Sequence, residues 1–453
     1  MYLARALFRL ESSGTRKRVL DLAGPSLVEM FLISAVHMID MMMVGRVGPA
    51  AIAAVGLSSQ PIMFFQATSL ALNVGTTALV ARLMGAGDVD TASEAARQTL
   101  VVSFVLGIIM GATAILCARP ILLFMGAEPE VLVQGVTYFR LVGAGILFNS
   151  MAMNMTASLR GAGDTRSPMS VNMIANLFTL CGNYVLINGY LGFPRLEVVG
   201  AGVANLSSRF LAFALFFYIL ASGSRRIKPR LSSGFRFDWP LLVRAFRVGI
   251  PAACEQLILR SGQVTFARVV ASLGTATFAS HQIAMNVLSM SFMPGQAFAV
   301  AATTLVGQGL GADRPDESEK SALEARRTGV IVACTMAGVF FFFGRHIAQL
   351  YTTDAEVIAR TAMVLRLYAF AQPAQSTQFI LAGALRGAGD SRWPLYSSAV
   401  GIWFGRVLMA WALINFAGLG LAGAWLAMAL DQVGRSLITS LRFRSGRWKS
   451  QEV

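Results

Sequence analysis

A ten-residue stretch that occurs twice constrains this chain more than any other feature of its sequence. Residues 159–168 read LRGAGDTRSP and residues 385–394 read LRGAGDSRWP, 226 positions later. In each copy the Gly-Ala-Gly-Asp segment supplies the permissive backbone and the carboxylate of a tight loop, and the proline suits the start of a helix. The sequence therefore predicts a protein built by duplication.

The same spacing relates many other positions along the chain. Each repeat is roughly 200 residues long, which is too long for one unit of a solenoid. Near the ends the spacing drifts to 223, where Gly200 matches Gly423. The clearest pairs at 226 are Pro25 with Pro251, Glu29 with Glu255, Gly85 with Gly311 and Arg140 with Arg366.

Composition places the repeats in a membrane. Hydrophobic residues make up 55% of the chain and charged residues only 13%, whereas a soluble domain is nearer a quarter charged. Apolar runs of about 20 residues, the length that crosses a bilayer core, alternate with short polar loops. We predict an all-α integral membrane protein with about twelve spans, at about 20–44, 52–77, 97–118, 132–156, 168–190, 199–221, 242–270, 277–303, 326–348, 359–383, 394–416 and 420–441.

The spans group into two homologous six-helix halves, residues 1–221 and 241–453, joined by a basic linker at 222–240. The net charge of +15 would suit nucleic acid, but the basic residues lie at loops and termini, so orientation in a membrane explains them better. Linker and both termini fall on one side of the membrane, which we predict to be the cytoplasm. The basic first residues contain no signal-peptide cleavage site, which suits a bacterial inner membrane. We also predict a monomer.

An even number of spans per half has a mechanical consequence. Both halves enter the membrane in the same orientation, so an axis along the membrane normal relates them and a cavity is expected between them. Two bundles that rock around a cavity indicate a transporter more than a channel. No hydrolase or metal-site motif is present, so we predict neither an enzyme nor a cofactor.

Chemistry is expected at carboxylates buried at membrane depth, because these are costly to keep there. The candidates are Glu29, Asp40, Glu255 and Asp431. Asp431 precedes Arg435 by one helical turn, which favours a structural pair. Asp40 is the sharpest candidate for ion coupling, because it stands near the outer end of its helix, where the helix dipole and the low dielectric both disfavour the anion; the alternative is a position among lipid headgroups.

Glu29 and Glu255 each follow a helix proline by one turn, beside a weakened hydrogen-bond ladder. For Glu29 we favour a structural role. For Glu255 two interpretations stay open. One is ion coupling, and the other is a salt bridge with Arg260 or Arg406.

Polar residues form a stripe along the fifth span, at Asn172, Asn176, Thr179 and Asn183, and Asn205 of the sixth span can join it. Their spacing of three or four residues puts them on one helix face. Such a stripe either joins helices or lines a wet cavity. Facing Asp40, it would form a hydrogen-bond network around an ionisable group.

Substrate contacts are harder to derive. The chain has 22 Met and 30 Phe, which suit a cavity for flat lipophilic cations but also fill ordinary membrane cores. Polar and thioether side chains of the seventh and eighth spans are the candidates for such a cavity: Gln256, Gln282, Met285 and Asn286.

As a set, several motifs resemble the multidrug and toxic compound extrusion (MATE) family. They are Ala23-Gly24-Pro25 with Asp40, Val44–Gly48, Ala53–Gly56, the Leu159–Asp164 motif, Asn183–Gly189, Gly249–Pro251, Glu255-Gln256 and His281–Ala284.

The resemblance implies two six-helix halves in a V around a central cavity, with antiport of lipophilic organic cations against protons or sodium. It gives Asp40 the central coupling role, with Thr179, Asn183 and Asn205 as its network. One family aspartate is Asn183 here, which puts a two-carboxylate mechanism in doubt. Some sodium-coupled relatives have an acid deeper in the seventh helix. Leu259 occupies that place in this chain, so sodium is expected at Glu255 or Asp40 instead. The rival function is a lipid-linked precursor flippase of the same superfamily.

Overall fold

The structure is a computed structural model. It describes residues 2–45, 47, 49–190, 192–222, 227 and 237–451, with only the backbone for 2–13, 45, 49, 50, 52 and 130. Most of the predicted linker, residues 223–226 and 228–236, lies outside the described residues.

The described chain is helical almost throughout. The helices are α1 (Tyr2–Gly45), α2 (Pro49–Gly85), α3 (Val89–Leu116), α4 (Ala118–Phe124), α5 (Pro129–Gly161), α6 (Arg166–Asn188), α7 (Glu197–Ala221), α8 (Trp239–Ala271), α9 (Thr275–Gly311), α10 (Pro315–Gln349), α11 (Ala355–Ala369), α12 (Gln372–Gly387), α13 (Arg392–Val400), a π-helical segment (Gly401–Leu408), α14 (Met409–Asn415) and α15 (Gly420–Arg444).

Each of the twelve predicted spans falls on helical backbone. Within the described residues, nine helices are long and apolar enough to cross a membrane. The three predicted spans that miss this criterion are α8, the α11–α12 region and α15. In α8 and α15 buried charge at Glu255, Asp431 and Arg435 lowers the hydropathy, whereas α11 and α12 are each too short, with 15 and 16 residues.

Two irregularities differ from the simple span prediction. The tenth span is interrupted between α11 and α12, where Pro373 stands in the first turn of α12. The eleventh contains the π-helical turns Gly401–Leu408 between two α-helical stretches. Wider turns of this kind change the direction in which later side chains point and are frequent at functional sites.

The repeated motif forms the same tight loop in both halves. Gly163 and Gly389 have φ angles of +87° and +91°, a left-handed conformation that glycine adopts without strain. Asp164 accepts hydrogen bonds from the backbone N–H and the hydroxyl of Ser167 at 3.0 and 2.6 Å, and so stabilises the start of α6. The predicted loop is confirmed.

Polar contacts between helices are also duplicated. The Thr77 hydroxyl donates to the Ala157 carbonyl at 3.1 Å, and Thr303 donates to the Gly383 carbonyl at 2.8 Å. Both bonds join residues 80 positions apart. Repeat-related residues therefore pack in the same way.

Packing divides the chain into two units that differ from the sequence halves. One unit contains residues 28–249, and the other contains residues 1–27 together with 250–453. The boundaries lie inside α1 and α8, close to Pro25 and Pro251. The first part of each helix thus belongs to the unit formed by the other repeat.

Small residues explain how the start of α8 packs in the unit of residues 28–249. A Cβ built on Gly249 would overlap the Ala71 carbonyl, and one built on Gly75 would overlap the Ala245 carbonyl. Two Ala/Gly pairs spaced four residues apart let α2 and α8 meet backbone to backbone.

The start of α1 has the corresponding position in the other unit. Val19 and Ala23, which the repeat relates to Ala245 and Gly249, lie in a buried cluster with Ala301 of α9.

Candidate functional site

The candidate site is built where α1 faces α6. Asn183 Nδ2 donates to Asp40 Oδ1 at 2.7 Å, and Asn172 Nδ2 donates to Glu29 Oε1 at 2.7 Å. Both bonds join residues 143 positions apart, so the two helices run in the same direction. The polar stripe of α6 therefore faces the acids of α1.

Asp40 has an unusual environment for an acid in an apolar helix. It is half-buried, and its direct partner is an amide rather than a cation. Arg209 of α7 is close enough to act electrostatically on its carboxylate, as is His37, while Arg209 also acts on Tyr138 of α5. Asp40 makes no ion pair with the described residues.

Asn183 is left with an unfilled hydrogen-bond acceptor. Its Oδ1 is buried and has no hydrogen-bond partner in the described part of the chain. A carboxylate cannot donate to this oxygen, whereas a protonated carboxyl can. The pair of Asp40 and Asn183 therefore has one bond when ionised and room for a second when protonated.

The other members of the predicted network differ in what they contact. Thr179 is buried, but its hydroxyl donates to the Ala175 carbonyl of its own helix at 3.0 Å. Asn176 and Asn205 are half-buried and make no side-chain hydrogen bond within the described ranges. Among the residues of the predicted network, all of which the structure describes, only Asn183 makes a direct hydrogen bond to Asp40.

Glu29 and Glu255 occupy equivalent three-residue clusters. Arg160 Nη2 lies 2.8 Å from Glu29 Oε2, completing a cluster with Asn172. In the second repeat Arg386 Nη2 lies 2.5 Å from Glu255 Oε2, and the Ser398 hydroxyl donates to Glu255 Oε1 at 2.8 Å. Both oxygens of each carboxylate are therefore engaged.

The partner expected for Glu255 was wrong in detail. Neither Arg260 nor Arg406 pairs with it; the arginine is Arg386 of the repeated motif. Arg260 is exposed, and Arg406 bonds to Asp431. The structural role favoured for Glu29 agrees with its ion pair to Arg160. The predicted pairing of Asp431 with Arg435 is confirmed at 3.0 Å.

The predicted substrate residues differ in their exposure. Gln282 and Asn286 share the exposed face of α9, where Asn286 Nδ2 donates to the Gln282 carbonyl at 3.0 Å. Met285 packs against a buried apolar cluster of the same unit, and Gln256 of α8 is half-buried.

The structure does show a small cavity elsewhere in this unit, between α9, α10 and α12. The polar atoms of Gln375 and the hydroxyl of Ser376, both at its wall, have no hydrogen-bond partner in the described chain.

Sequence reasoning missed Arg160, Arg386 and Arg209. The first two had a signal in the sequence. Each is the arginine that precedes the glycines of the repeated motif, and each repeat also has one glutamate at an equivalent buried place. Charge balance at membrane depth pairs them. Arg209 had no such signal, since the spacing of 223 that holds near the ends relates it to Gln432.

The sequence of this chain is similar to those of a known protein family. The sequence pattern named MatE matches residues 25–185 and again residues 251–411. The chain belongs to the MatE family. The two matched segments are separated by the same 226 positions as the repeated motif, which confirms the duplication. This is a family of membrane transporters, so the predicted fold class, an all-α membrane protein of two homologous halves, is confirmed.

Relatives within the MATE family cover nearly the whole chain. "Probable multidrug resistance protein NorM" of Thermotoga maritima is 30% identical over 445 residues, which span 97% of this chain and 94% of the relative. "Multidrug resistance protein MdtK" of Yersinia enterocolitica is 26% identical, over 94% and 95%. A solved outward-facing multidrug resistance MATE transporter matches with a TM-score of 0.89 at 22% identity, over 96% and 97%. The last match shows a shared fold.

Proposed function

We propose that this MATE-family chain is an antiporter that exports lipophilic organic cations by alternating access, driven by a proton or sodium gradient, with Asp40 as its coupling acid. Relatives that carry the name multidrug resistance protein along the whole chain support the export function. The basic linker and termini support an orientation with both termini in the cytoplasm of a bacterial cell.

One observation carries the choice of Asp40. Four acids were expected at membrane depth, and three of them contact arginine: Glu29, Glu255 and Asp431. A carboxylate that is paired with a guanidinium stays ionised, because neutralising it would leave an unpaired buried cation. Asp40 has an amide as its direct partner, so it can lose its charge at lower cost.

The coupling step follows from the partners of Asp40. As an anion, the carboxylate attracts a cationic substrate and accepts one bond from Asn183. A bound proton removes the charge and allows a second bond to the vacant Asn183 Oδ1; a sodium ion would be ligated by the same two side chains. Ion and substrate thus compete for the charge of the Asp40 carboxylate, and each binds a different state of the six-helix half that contains Asp40.

The experiment is ethidium efflux from inverted or energised vesicles with a pH gradient alone and with a sodium gradient alone. We expect Asp40→Asn to lose gradient-driven efflux by tenfold or more while inserting normally. Asp88→Asn is the matched control, because Asp88 is an exposed acid that caps α3 and asparagine caps a helix equally well.

Each result of the efflux experiment tests a different part of the proposal. Loss under one gradient identifies the coupling ion, whereas unchanged efflux by Asp40→Asn contradicts the assignment and moves it to Glu255. If the wild type exports nothing under either gradient, the antiporter proposal fails and flipping of a lipid-linked precursor becomes the function to test.

A further inference from the structure

The unit of residues 250–453 contains a buried charged cluster that the duplication does not repeat. Arg406 Nε and Nη2 donate to Asp431 Oδ2 at 3.0 and 2.6 Å. Arg435 Nε lies 3.0 Å from Asp431 Oδ1. The exposed fractions of these side chains are 6% for Arg406, 0% for Asp431 and 4% for Arg435. Two guanidinium groups therefore share one carboxylate inside the helices.

The cluster carries an excess positive charge that this unit does not balance. Arginine stays protonated in proteins, so the three side chains sum to one positive charge. Glu255 acts electrostatically on Arg435, but its carboxylate is already engaged by Arg386 and Ser398. A buried charge without a counter-charge is strongly unfavourable.

Unfilled polar atoms, both donors and acceptors, lie around these charges. Trp425 Nε1 and His281 Nδ1 are buried and have no hydrogen-bond partner in the part of the chain that the structure describes, and the acceptor Gln432 Oε1 is also unfilled. Ring contacts tie them together, since the Trp425 ring lies 5.7 Å from His281 and 5.8 Å from Tyr368. The indole and guanidinium N–H groups can only donate. The Trp425 indole therefore lacks an acceptor.

The fold itself does not require the cluster. The residue related to Arg406 by the 226 spacing is Leu180, and the residue related to Arg435 by the spacing of 223 is Ala212. The first repeat thus packs the same helices without an Arg–Asp–Arg cluster, and its Arg209, which the 226 spacing relates to Arg435, acts on Asp40 instead. By contrast, both repeats have a Glu–Arg pair at the same place, which is typical of a structural contact.

Local backbone structure brings the charges together. Arg406 lies in the π-helical segment. In the same segment Gly401 packs so closely on the Asp431 and Arg435 side chains that a Cβ would overlap them, and Gly405 lies against Asp431. Arg406 also stacks over the Phe266 ring, 5.9 Å from its centroid. Aromatic rings and cations therefore surround the same point.

We propose that this cluster binds a monovalent anionic group, a halide ion or the carboxylate of an organic molecule, held by Arg435 with Trp425 as a neutral donor. An anion supplies both the missing charge and the missing acceptor, whereas water supplies only the acceptor. Binding here is independent of the proposed export function, and it can be measured on the purified protein without a gradient.

The test is the melting temperature of the purified full chain at constant ionic strength, with isethionate, a bulky sulfonate, replaced stepwise by chloride, bromide or benzoate. We expect a saturable rise of roughly 4 °C at high occupancy for the wild type. Saturation by halides alone identifies a free ion as the ligand, and tighter binding of benzoate identifies an organic carboxylate.

Variants separate this site from a general salt effect. Arg435→Gln leaves Asp431 neutralised by Arg406, so the anion response should vanish while the protein in isethionate melts no lower than the wild type. Arg444→Gln, an exposed arginine on the same helix, should respond like the wild type. Trp425→Phe keeps the ring but loses the donor, and should raise the half-saturating concentration several-fold.

A wild-type melting temperature that does not depend on the anion overturns the proposal, and this measurement needs no variant to fold. An equal response in Arg435→Gln and Trp425→Phe overturns it as well. Efflux from wild-type vesicles tests the antiporter, and the anion response of the purified wild type tests this site, so either proposal can fail while the other stands.

Discussion

Arg386 and Arg160 illustrate how single side chains fix the arrangement of helices in both repeats. Each arginine belongs to the repeated motif and reaches a glutamate one turn beyond a helix proline. Glu255 is only 1% exposed, and Arg386 forms an ion pair with it. The cost of losing that arginine is therefore set by the carboxylate left behind.

We expect Arg386→Gln to lower the free energy of unfolding by about 3–5 kcal/mol, because it leaves an unpaired buried charge. Adding Glu255→Gln to it should recover much of the loss, as measured by thermal unfolding in detergent and analysed as a double-mutant cycle. Arg366→Gln, an exposed arginine bound to a backbone carbonyl, is the control. Additive effects of the two substitutions would contradict the pairing.

The residue scale also shows how far a sequence can predict a site. The stripe on α6 was predicted from its spacing, because periodicity determines which residues share a helix face. The bond between Asn183 and Asp40 was one of two outcomes left open for that stripe. The partner of Glu255 was not predicted, because periodicity does not say which neighbouring helix a face meets.

At the scale of helices, close approach between α2 and α8 depends on small residues at regular spacing. Ala71 and Gly75 of α2 meet Ala245 and Gly249 of α8 without room for another carbon at either glycine. Twelve helical spans could be predicted from hydropathy, since each needs only length and composition. This crossing, the break before α12 and the π-helical turns depend on contacts between distant segments, so local sequence did not predict them.

We predict that Gly249→Ala destabilises the protein by about 1–3 kcal/mol, because the added methyl group must push α8 away from the Ala71 carbonyl. Gly434→Ala is the matched control: it also lies inside a helix, but a Cβ there meets nothing within 4 Å. The control should be neutral or slightly stabilising, since alanine favours helix. Equal melting temperatures for the two variants would rule out the tight crossing.

At the scale of the molecule, the C-terminal segment is fastened to α10 within the unit of residues 250–453. Lys449 Nζ lies 2.6 Å from Glu319 and 3.1 Å from Asp316. Hydrogen bonds to these carboxylates, Glu319 first, raise the pKa of Lys449 above its ordinary value of 10.5. The adjacent Trp448 is fully buried and stacks on Phe443 at 4.8 Å.

A raised lysine pKa stabilises the folded state below the unfolded pKa, and this contribution is lost as pH rises through the folded pKa. We therefore expect Lys449→Gln to cost less than about 1 kcal/mol, evenly between pH 6 and 9. The difference from the wild type should shrink as the pH rises above the ordinary lysine value of 10.5 and through the raised folded-state pKa of Lys449. Melting curves across pH measure it, with exposed Arg447→Gln as the control; a difference that grows with pH would exclude this ion pair.

The exchanged starts of α1 and α8 bear on how such a chain arose. Each repeat places the beginning of its first helix among the helices of the other repeat, with Val19 and Ala23 in one unit and Ala245 and Gly249 in the other. A single-repeat ancestor with this helix could bury that segment only by lending it to a second copy, as a domain-swapped dimer does. Fusion of two such copies would turn an exchange between two molecules into an exchange within a single chain, which is how the starts of α1 and α8 are divided between the two units.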